Sequence, residues 1–113
     1  MQTPRSEMFR KLLQRDEWNP MVLYSLGNEL FKEGSHAEAR DHLKRAVEQK
    51  PDYSVAYRTL GRAHFELGED AEALRVFEEG RRVAEANGDL QTAQEIDVFR
   101  RRLVRRRGAG EGP

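Results

Sequence analysis

Apolar residues recur along this chain at intervals of three and four positions, which is the spacing of one face of an α-helix. Six stretches show the pattern, from the one around Met8 to the one that ends near Leu103. Short polar connections with glycine, proline or asparagine separate these stretches, as expected between helices. The pattern therefore predicts an all-α protein of about six helices.

Two of the predicted helix pairs are copies of each other. Leu26-Gly27 returns 34 residues later as Leu60-Gly61. The same offset relates Phe31 to Phe65, Gly34 to Gly68, and Ala37-Glu38-Ala39 to Ala71-Glu72-Ala73. Self-similarity at a fixed period of about 20 to 50 residues indicates a repeat array, in which each unit buries its apolar face by stacking on a neighbour.

The repeat divides the chain into predicted units. We expect a single domain over residues 1–107 and a disordered tail over residues 108–113. Within the domain we expect a half-repeat helix at 4–16, a first repeat at 20–53, a second at 54–87 and a capping helix at 89–107. A third full repeat is not expected, because Gln94-Glu95 stand where a third Leu-Gly pair would fall.

Local signals support these divisions. Pro20 and Pro51 mark helix boundaries, since proline favours the first turn of a helix and disfavours the α conformation in the residue before it. Ser35 and Glu38 have the spacing of a capping box at the start of a helix. Asp89, a residue type that is favoured at the N-cap, precedes the last predicted helix.

Composition limits the class of protein. The 113 residues suit one hydrophobic core, and 37% hydrophobic with 35% charged residues suits small helices exposed on one side. No run of 18 apolar residues is present, and the amino end lacks the apolar segment of a secretory signal. We therefore expect a cytoplasmic protein that does not enter a membrane.

Catalytic and cofactor-binding patterns are missing from the sequence. Its three histidines show no metal-ligand spacing, and the sequence holds no cysteine, glycine-rich phosphate loop or serine elbow. His64 falls in the apolar stripe, which favours a hydrogen-bonded packing role over that of a base. We therefore expect no enzyme activity, cofactor or metal.

The charges are balanced overall but not along the chain. The formal net charge is zero, yet arginines fill positions 100–102 and 105–107. Such a run can hold phosphate, which makes a nucleic-acid accessory one alternative. It also suits the end of a helix, where the dipole favours cations. Because the rest of the chain is slightly acidic and offers no recognition motif, nucleic acid is not the partner that we expect.

Both repeats resemble the tetratricopeptide repeat family. The first unit carries Leu26-Gly27, Leu30, Ala39, Leu43, Ala46 and Pro51, and the second carries Tyr57, Leu60-Gly61, Ala73, Phe77 and Gly80. The second unit differs from the family pattern at His64, Gly80 and Glu85. The resemblance implies a right-handed solenoid of antiparallel helix pairs that acts as a non-enzymatic interaction scaffold or adaptor.

The resemblance also implies where a partner would bind. In this family the first helices of successive units line a concave groove for a peptide or a partner helix. The corresponding residues here are Met21, Tyr24, Asn28, Phe31, Val55, Arg58, Arg62 and Phe65. On each helix they advance by three or four positions, on a different side from the buried leucines.

Three of these residues resemble a carboxylate-binding pattern found in some family members. Asn28, Arg58 and Arg62 match the asparagine in one unit and the two basic residues one turn apart in the next. Tyr24 stands where a lysine is expected. The resemblance implies a peptide partner with an acidic or C-terminal carboxylate group. The alternative is that both arginines are solvated or paired with Glu29 and Glu66.

Two further alternatives concern the groove as a whole. The last helix can fold back over Tyr24, Phe31 and Phe65 and leave no open groove. The chain can also be a structural module that self-associates, as a homodimer through the groove or the capping helix.

Overall fold

Six α-helices make up most of residues 4–110, which are the residues that the computed structural model of the chain describes, with side chains over 4–108. They are α1 (Arg5–Arg15), α2 (Pro20–Lys32), α3 (His36–Gln49), α4 (Ser54–Glu66), α5 (Asp70–Ala86) and α6 (Leu90–Gly110). Residues 4–110 contain no strand. The all-α prediction is therefore confirmed.

The helices stack in chain order. α2 packs on α3 and α4 on α5, α3 and α4 join the two pairs, α1 lies on α2, and α6 lies on both α5 and α4. The Cα radius of gyration is 14.5 Å, larger than the about 13 Å expected of a compact domain of this length. The chain is thus an elongated helix-pair stack, as a solenoid requires.

Small residues set the distance between paired helices. A Cβ atom added at Gly27 would lie 2.6 Å from Leu43 Cγ, and one at Gly61 would overlap the ring of Phe77. Leu43 and Phe77 are fully buried and occupy the same place in the two units. The recurrent Leu-Gly pair therefore marks the point where the second helix of each unit crosses the first.

Helix ends follow local chemistry, with one correction. The Asn19 side chain accepts hydrogen bonds from the backbone N–H groups of Met21 and Val22 at 2.9 and 3.3 Å, which caps α2. The capping box predicted at Ser35 is wrong, because the Ser35 side chain makes no cap hydrogen bond. The Glu38 carboxylate instead forms an ion pair with Arg10 of α1 at 2.5 Å, and this hydrogen bond lowers the pKa of Glu38.

The second helix of the second unit is longer than that of the first unit, and a different connection follows it. α3 has 14 residues and is followed by Lys50 and Pro51, whereas α5 has 17 residues and runs on to Ala86. Asp89 then caps α6 by accepting a hydrogen bond from the Thr92 N–H at 3.2 Å. The buried side chains Ile96 and Leu103 of α6 cover Phe77 and Ala73. α6 therefore completes the core of the second unit.

The end of α6 differs from the predicted boundary. We predicted a disordered tail from Gly108, but the helix continues to Gly110. The arginines before Gly108 are good helix formers, and Gly108 stays helical instead of forming a left-handed cap. Residues 111–113 of the predicted tail lie outside the described residues.

Candidate functional site

Side chains from α2, α4 and α6 meet on one surface of the stack. Arg58 of α4 donates to the Tyr24 hydroxyl of α2 at 3.4 Å and to Glu95 of α6 at 2.7 Å. Arg62, one turn further along α4, lies between Phe31 of α2 and Phe99 of α6. We call this surface, from Tyr24 and Phe31 across Arg58 and Arg62 to Glu95 and Phe99, the α2–α4–α6 face.

The predicted site residues belong to α2 and α4, and the structure links several of them. Met21 is 65% exposed. The other seven are partly buried: Tyr24, Asn28, Phe31, Val55, Arg58, Arg62 and Phe65. Tyr24 meets Arg58 and Phe31 meets Arg62, while Asn28 lies on α2 between these two contacts. Within residues 4–108, the Asn28 side chain makes no hydrogen bond.

Arg58 forms an ion pair with an acidic side chain of the same protein. Its ion pair with Glu95 measures 2.7 Å, and the two side chains are 21% and 36% exposed. Glu29, one of the two acids considered from the sequence as partners, instead lies near Arg5 and Lys32 at 3.7 and 3.5 Å, and Glu66 acts on Arg62 without forming an ion pair. Sequence reasoning missed Glu95 as a site residue. The sequence feature that could have pointed to Glu95 is the missing third Leu-Gly pair, because Glu95 stands where its glycine would be.

Arg62 is held differently, by aromatic rings. Its guanidinium carbon lies 4.7 Å from the centre of the Phe31 ring and 4.5 Å from that of Phe99. Within the described side chains, it forms no ion pair or hydrogen bond. Burial lowers the pKa of Arg62 below its usual value, and the nearby charge of Arg58 lowers it further. Arg62 therefore has a fixed place on the face, with N–H donors that no described side chain uses.

The far end of the face is covered by the chain itself. Arg106 of α6 lies 3.7 Å over the ring of Phe65, donates to the Phe65 carbonyl at 3.1 Å and pairs with Asp70. At Phe65 the contacts of Arg106 therefore agree with the alternative in which the last helix folds back over the groove. Tyr24 is not covered in this way, since its ring packs on Tyr53 at 5.2 Å.

The arginine run of α6 contributes one more side chain to the α2–α4–α6 face. Arg102 is exposed, and its guanidinium carbon lies 5.2 Å from the centre of the Phe99 ring. Arg62 and Arg102 therefore share Phe99 as a contact. Sequence reasoning treated the six arginines as one cluster and did not separate Arg102, because that separation depends on how α6 is rotated about its axis.

His64 is 7% exposed, and its Nδ1 lies 2.8 Å from Glu69 Oε1, so the predicted packing role is confirmed. Among residues 4–108, no three His, Asp or Glu side chains are grouped so that they could hold a metal ion. The six helices include none with the length and apolar character needed to cross a bilayer.

Comparison with known proteins gives consistent matches. The tetratricopeptide repeat family model matches residues 30–96. A TPR repeat-containing protein of Pseudomonas aeruginosa is 36% identical over 101 residues, covering 89% of this chain and 96% of that protein. The solution structure of protein BPP2914 from Bordetella parapertussis is 31% identical, with a TM-score of 0.81, covering 96% of this chain and 94% of that one.

A third match has a bound peptide. It is the first TPR of Spaghetti (RPAP3), solved bound to the HSP90 peptide SRMEEVD. This chain is similar to it with a TM-score of 0.78 and 22% identity, covering 88% of this chain and 75% of that one. At this identity the match shows the fold alone.

Proposed function

This chain belongs to the tetratricopeptide repeat family, and from that premise we propose that it binds a partner polypeptide on the α2–α4–α6 face. The expected role is that of an interaction scaffold or adaptor rather than an enzyme. The partner is a peptide or a helix that carries an acidic group, at a side chain or at its C-terminus.

The observation that carries this proposal is that α2 has two apolar sides, of which only one is fully buried. Leu23, Leu26 and Leu30 are at most 1% exposed and pack inside the stack. On the other side, Tyr24 and Phe31 pack against the edge of the core and stay partly exposed, and Met21 is 65% exposed. Aromatic and methionine side chains that remain accessible on a rigid helix supply contact area for a partner at low entropic cost.

The polar residues of the face agree with an acidic partner. Arg62 and Asn28 have hydrogen-bond donors that no described side chain uses. Guanidinium groups bind carboxylates in a planar, bidentate geometry. The Spaghetti domain, which has the same fold, was solved with a peptide that contains two glutamates and an aspartate. We therefore expect acidic sequences among the ligands of this chain.

The experiment is a display selection of random peptides against the purified protein, followed by fluorescence anisotropy of the enriched peptides. Met21→Ser should weaken their binding by about fivefold, the loss typical of an interface residue worth about 1 kcal/mol. Met8→Ser is the matched control, because Met8 of α1 is also an exposed methionine, at 51% against 65% for Met21. Failure to enrich any peptide, or equal losses in the two variants, would contradict the proposal.

Self-association and nucleic-acid binding stay alternative predictions with separate tests. Multi-angle light scattering that gives twice the 13.1 kDa chain mass would favour a homodimer. A gel shift at low salt would favour the nucleic-acid accessory.

A further inference from the structure

The arginines of the α2–α4–α6 face differ in whether they form an ion pair with a carboxylate. Arg58 is neutralised by Glu95 at 2.7 Å. Arg62 and Arg102 both contact the ring of Phe99, and within residues 4–108 neither pairs with a carboxylate. Burial lowers the pKa of Arg62, the charges of Glu66 and Glu95 oppose that shift, and both carboxylates lie beyond ion-pair distance from Arg62. Two cations thus contact the same ring, and no carboxylate of residues 4–108 lies within ion-pair distance of either.

The surroundings of Arg62 favour an anion. Its guanidinium is partly buried between two phenyl rings, so water screens its charge less than at an open surface. The positive charges of Arg58 and Arg102 both act on it. A ligand that brings one carboxylate to Arg62 and another to Arg102 would accept N–H donors that no described residue uses and would reduce this repulsion. Phe31 and Phe99 fix the position of Arg62 before any ligand arrives, so little entropy is lost on binding.

Glu95 determines which kind of acidic ligand fits. A peptide C-terminus bound by Asn28 and Arg58 would have to displace the Glu95 carboxylate from Arg58. Acidic side chains that bind Arg62 and Arg102 displace no carboxylate of residues 4–108. A ligand carboxylate therefore meets a competing acid at Arg58 but not at Arg62 and Arg102.

From these contacts we infer that the partner is recognised through adjacent Asp or Glu side chains inside its sequence, which bind Arg62 and Arg102, while Glu95 acts as an internal competitor at Arg58. This inference rests on the proposed function and specifies the chemistry of the partner.

Three fluorescein-labelled peptides test the inference by anisotropy at low ionic strength. The first is Ala-Leu-Ser-Glu-Glu-Leu-Ser-Ala with an amidated C-terminus. The second replaces Glu-Glu by Gln-Gln and is also amidated, and the third has Gln-Gln with a free C-terminal carboxylate. The first peptide should bind at least about tenfold more tightly than the other two, the difference expected for charge-assisted hydrogen bonds worth about 1.5 kcal/mol.

Variants locate the binding on this chain. Arg62→Gln and Arg102→Gln should each weaken binding of the Glu-Glu peptide by about five- to tenfold. Arg105→Gln is the matched control, since Arg105 is an exposed arginine of the same helix that makes none of the contacts of the face. Arg102 is itself exposed, so its variant reports on binding even if the Arg62 variant folds poorly. Glu95→Gln should strengthen binding of the free-carboxylate peptide, because it leaves Arg58 unpaired.

The outcomes separate the two proposals. Absence of binding by all three peptides contradicts the inference, and it contradicts the proposed function as well only if the display selection also enriches no peptide. Equal binding of the Glu-Glu and amidated Gln-Gln peptides contradicts only the inference, as do equal effects of Arg102→Gln and Arg105→Gln. Competition by an oligonucleotide but not by unlabelled Glu-Glu peptide would also overturn it, in favour of a phosphate ligand.

Discussion

Gly80 stands where the family pattern has alanine, and the structure explains the difference. A Cβ atom at this position would lie 2.5 Å from Tyr57 Cβ and 3.1 Å from Ile96 Cδ1. Tyr57 Cβ is attached directly to the backbone of α4, so it cannot rotate away. Tyr57 is in turn held by a hydrogen bond from its hydroxyl to the Pro51 carbonyl at 2.8 Å. The glycine is therefore required by close helix packing.

Gly80→Ala should destabilise the protein by up to about 2 kcal/mol. Alanine gains about 1 kcal/mol of helix propensity over glycine, but overpacking a core costs about 1–3 kcal/mol. The control is Gly108→Ala, because nothing lies within 4 Å of a Cβ added there. Urea unfolding followed by circular dichroism measures both variants. A Gly80→Ala variant as stable as Gly108→Ala would refute the packing argument.

Asp89 makes a pH-dependent contribution at the start of α6. The Ser54 hydroxyl donates to its carboxylate at 2.7 Å and the Thr92 N–H at 3.2 Å, and these hydrogen bonds lower the pKa of Asp89. A lowered pKa in the folded state means that the ionised form stabilises folding. This contribution is complete above the unfolded pKa of about 3.9 and is lost as the pH falls through the lower folded value.

Asp89→Asn separates the charge from the cap, since asparagine is also a good N-cap. We expect the variant to be less stable than the parent by up to about 1 kcal/mol at neutral pH, and the difference to be smaller at an acidic pH below the unfolded pKa of about 3.9, where the aspartate begins to be protonated. Glu38 and Glu69, whose pKa values are also lowered, titrate in both proteins and cancel in the difference. A difference that is the same at both pH values would contradict this account.

At the scale of the element, α6 is attached to α4 by charged side chains as well as by its apolar stripe. Glu95 pairs with Arg58 near the start of the helix, and Arg106 binds Phe65 and Asp70 near its end. Ile96 and Leu103, both fully buried, pack with Phe77 between these two points. The orientation of α6 on the face is therefore fixed at both ends.

Arg106→Ala should loosen the last turns of α6. The loss of one cation–π contact and one partly exposed ion pair is worth about 1 kcal/mol. Hydrogen-exchange mass spectrometry should show faster exchange after about residue 100 and no change in α2. Arg105→Ala is the control on the same helix. Unchanged exchange in the Arg106 variant would mean that the apolar contacts alone hold the helix end.

The sequence predicted the paired helices well but the position of α6 on the stack poorly. The leucines of α2 repeat with the helical period, so their burial follows from spacing alone. The contacts of Glu95, Arg102 and Arg106 have no periodic signal. They depend on the rotation of α6, which follows from the length of α5 and from long-range contacts. The residues of α2 and α4 on the candidate face were therefore predictable, whereas the acid and the arginine that α6 adds to it were not.

For the whole molecule, stability should be distributed unequally between the two ends of the stack. α6 contributes the fully buried Ile96 and Leu103, while the only buried apolar residue among the described residues of α1 is Leu13, at 9% exposure. Met8 and Leu12 of α1 are exposed by 51% and 42%. The C-terminal end therefore holds more of the core.

A chain that ends at Gly88 should lose about 3–6 kcal/mol, because each fully buried Ile or Leu contributes about 1.5–3 kcal/mol. That loss is comparable to the total stability of a small domain. Removal of residues 1–16 should cost less. Thermal unfolding of the two truncated chains measures the difference, and an earlier transition after removal of α1 than after removal of α6 would contradict it.

The three additional residues of α5 do not move α6 out of the stack. Each helical residue advances the chain by about 1.5 Å, so α5 runs about 4.5 Å further than α3 does in the first unit. α6 nevertheless packs on α5 and α4 as α4 packs on α3 and α2. α6 therefore stands where the first helix of a third unit would stand, and a designer who wishes to lengthen this protein can add the second helix of that unit directly after it.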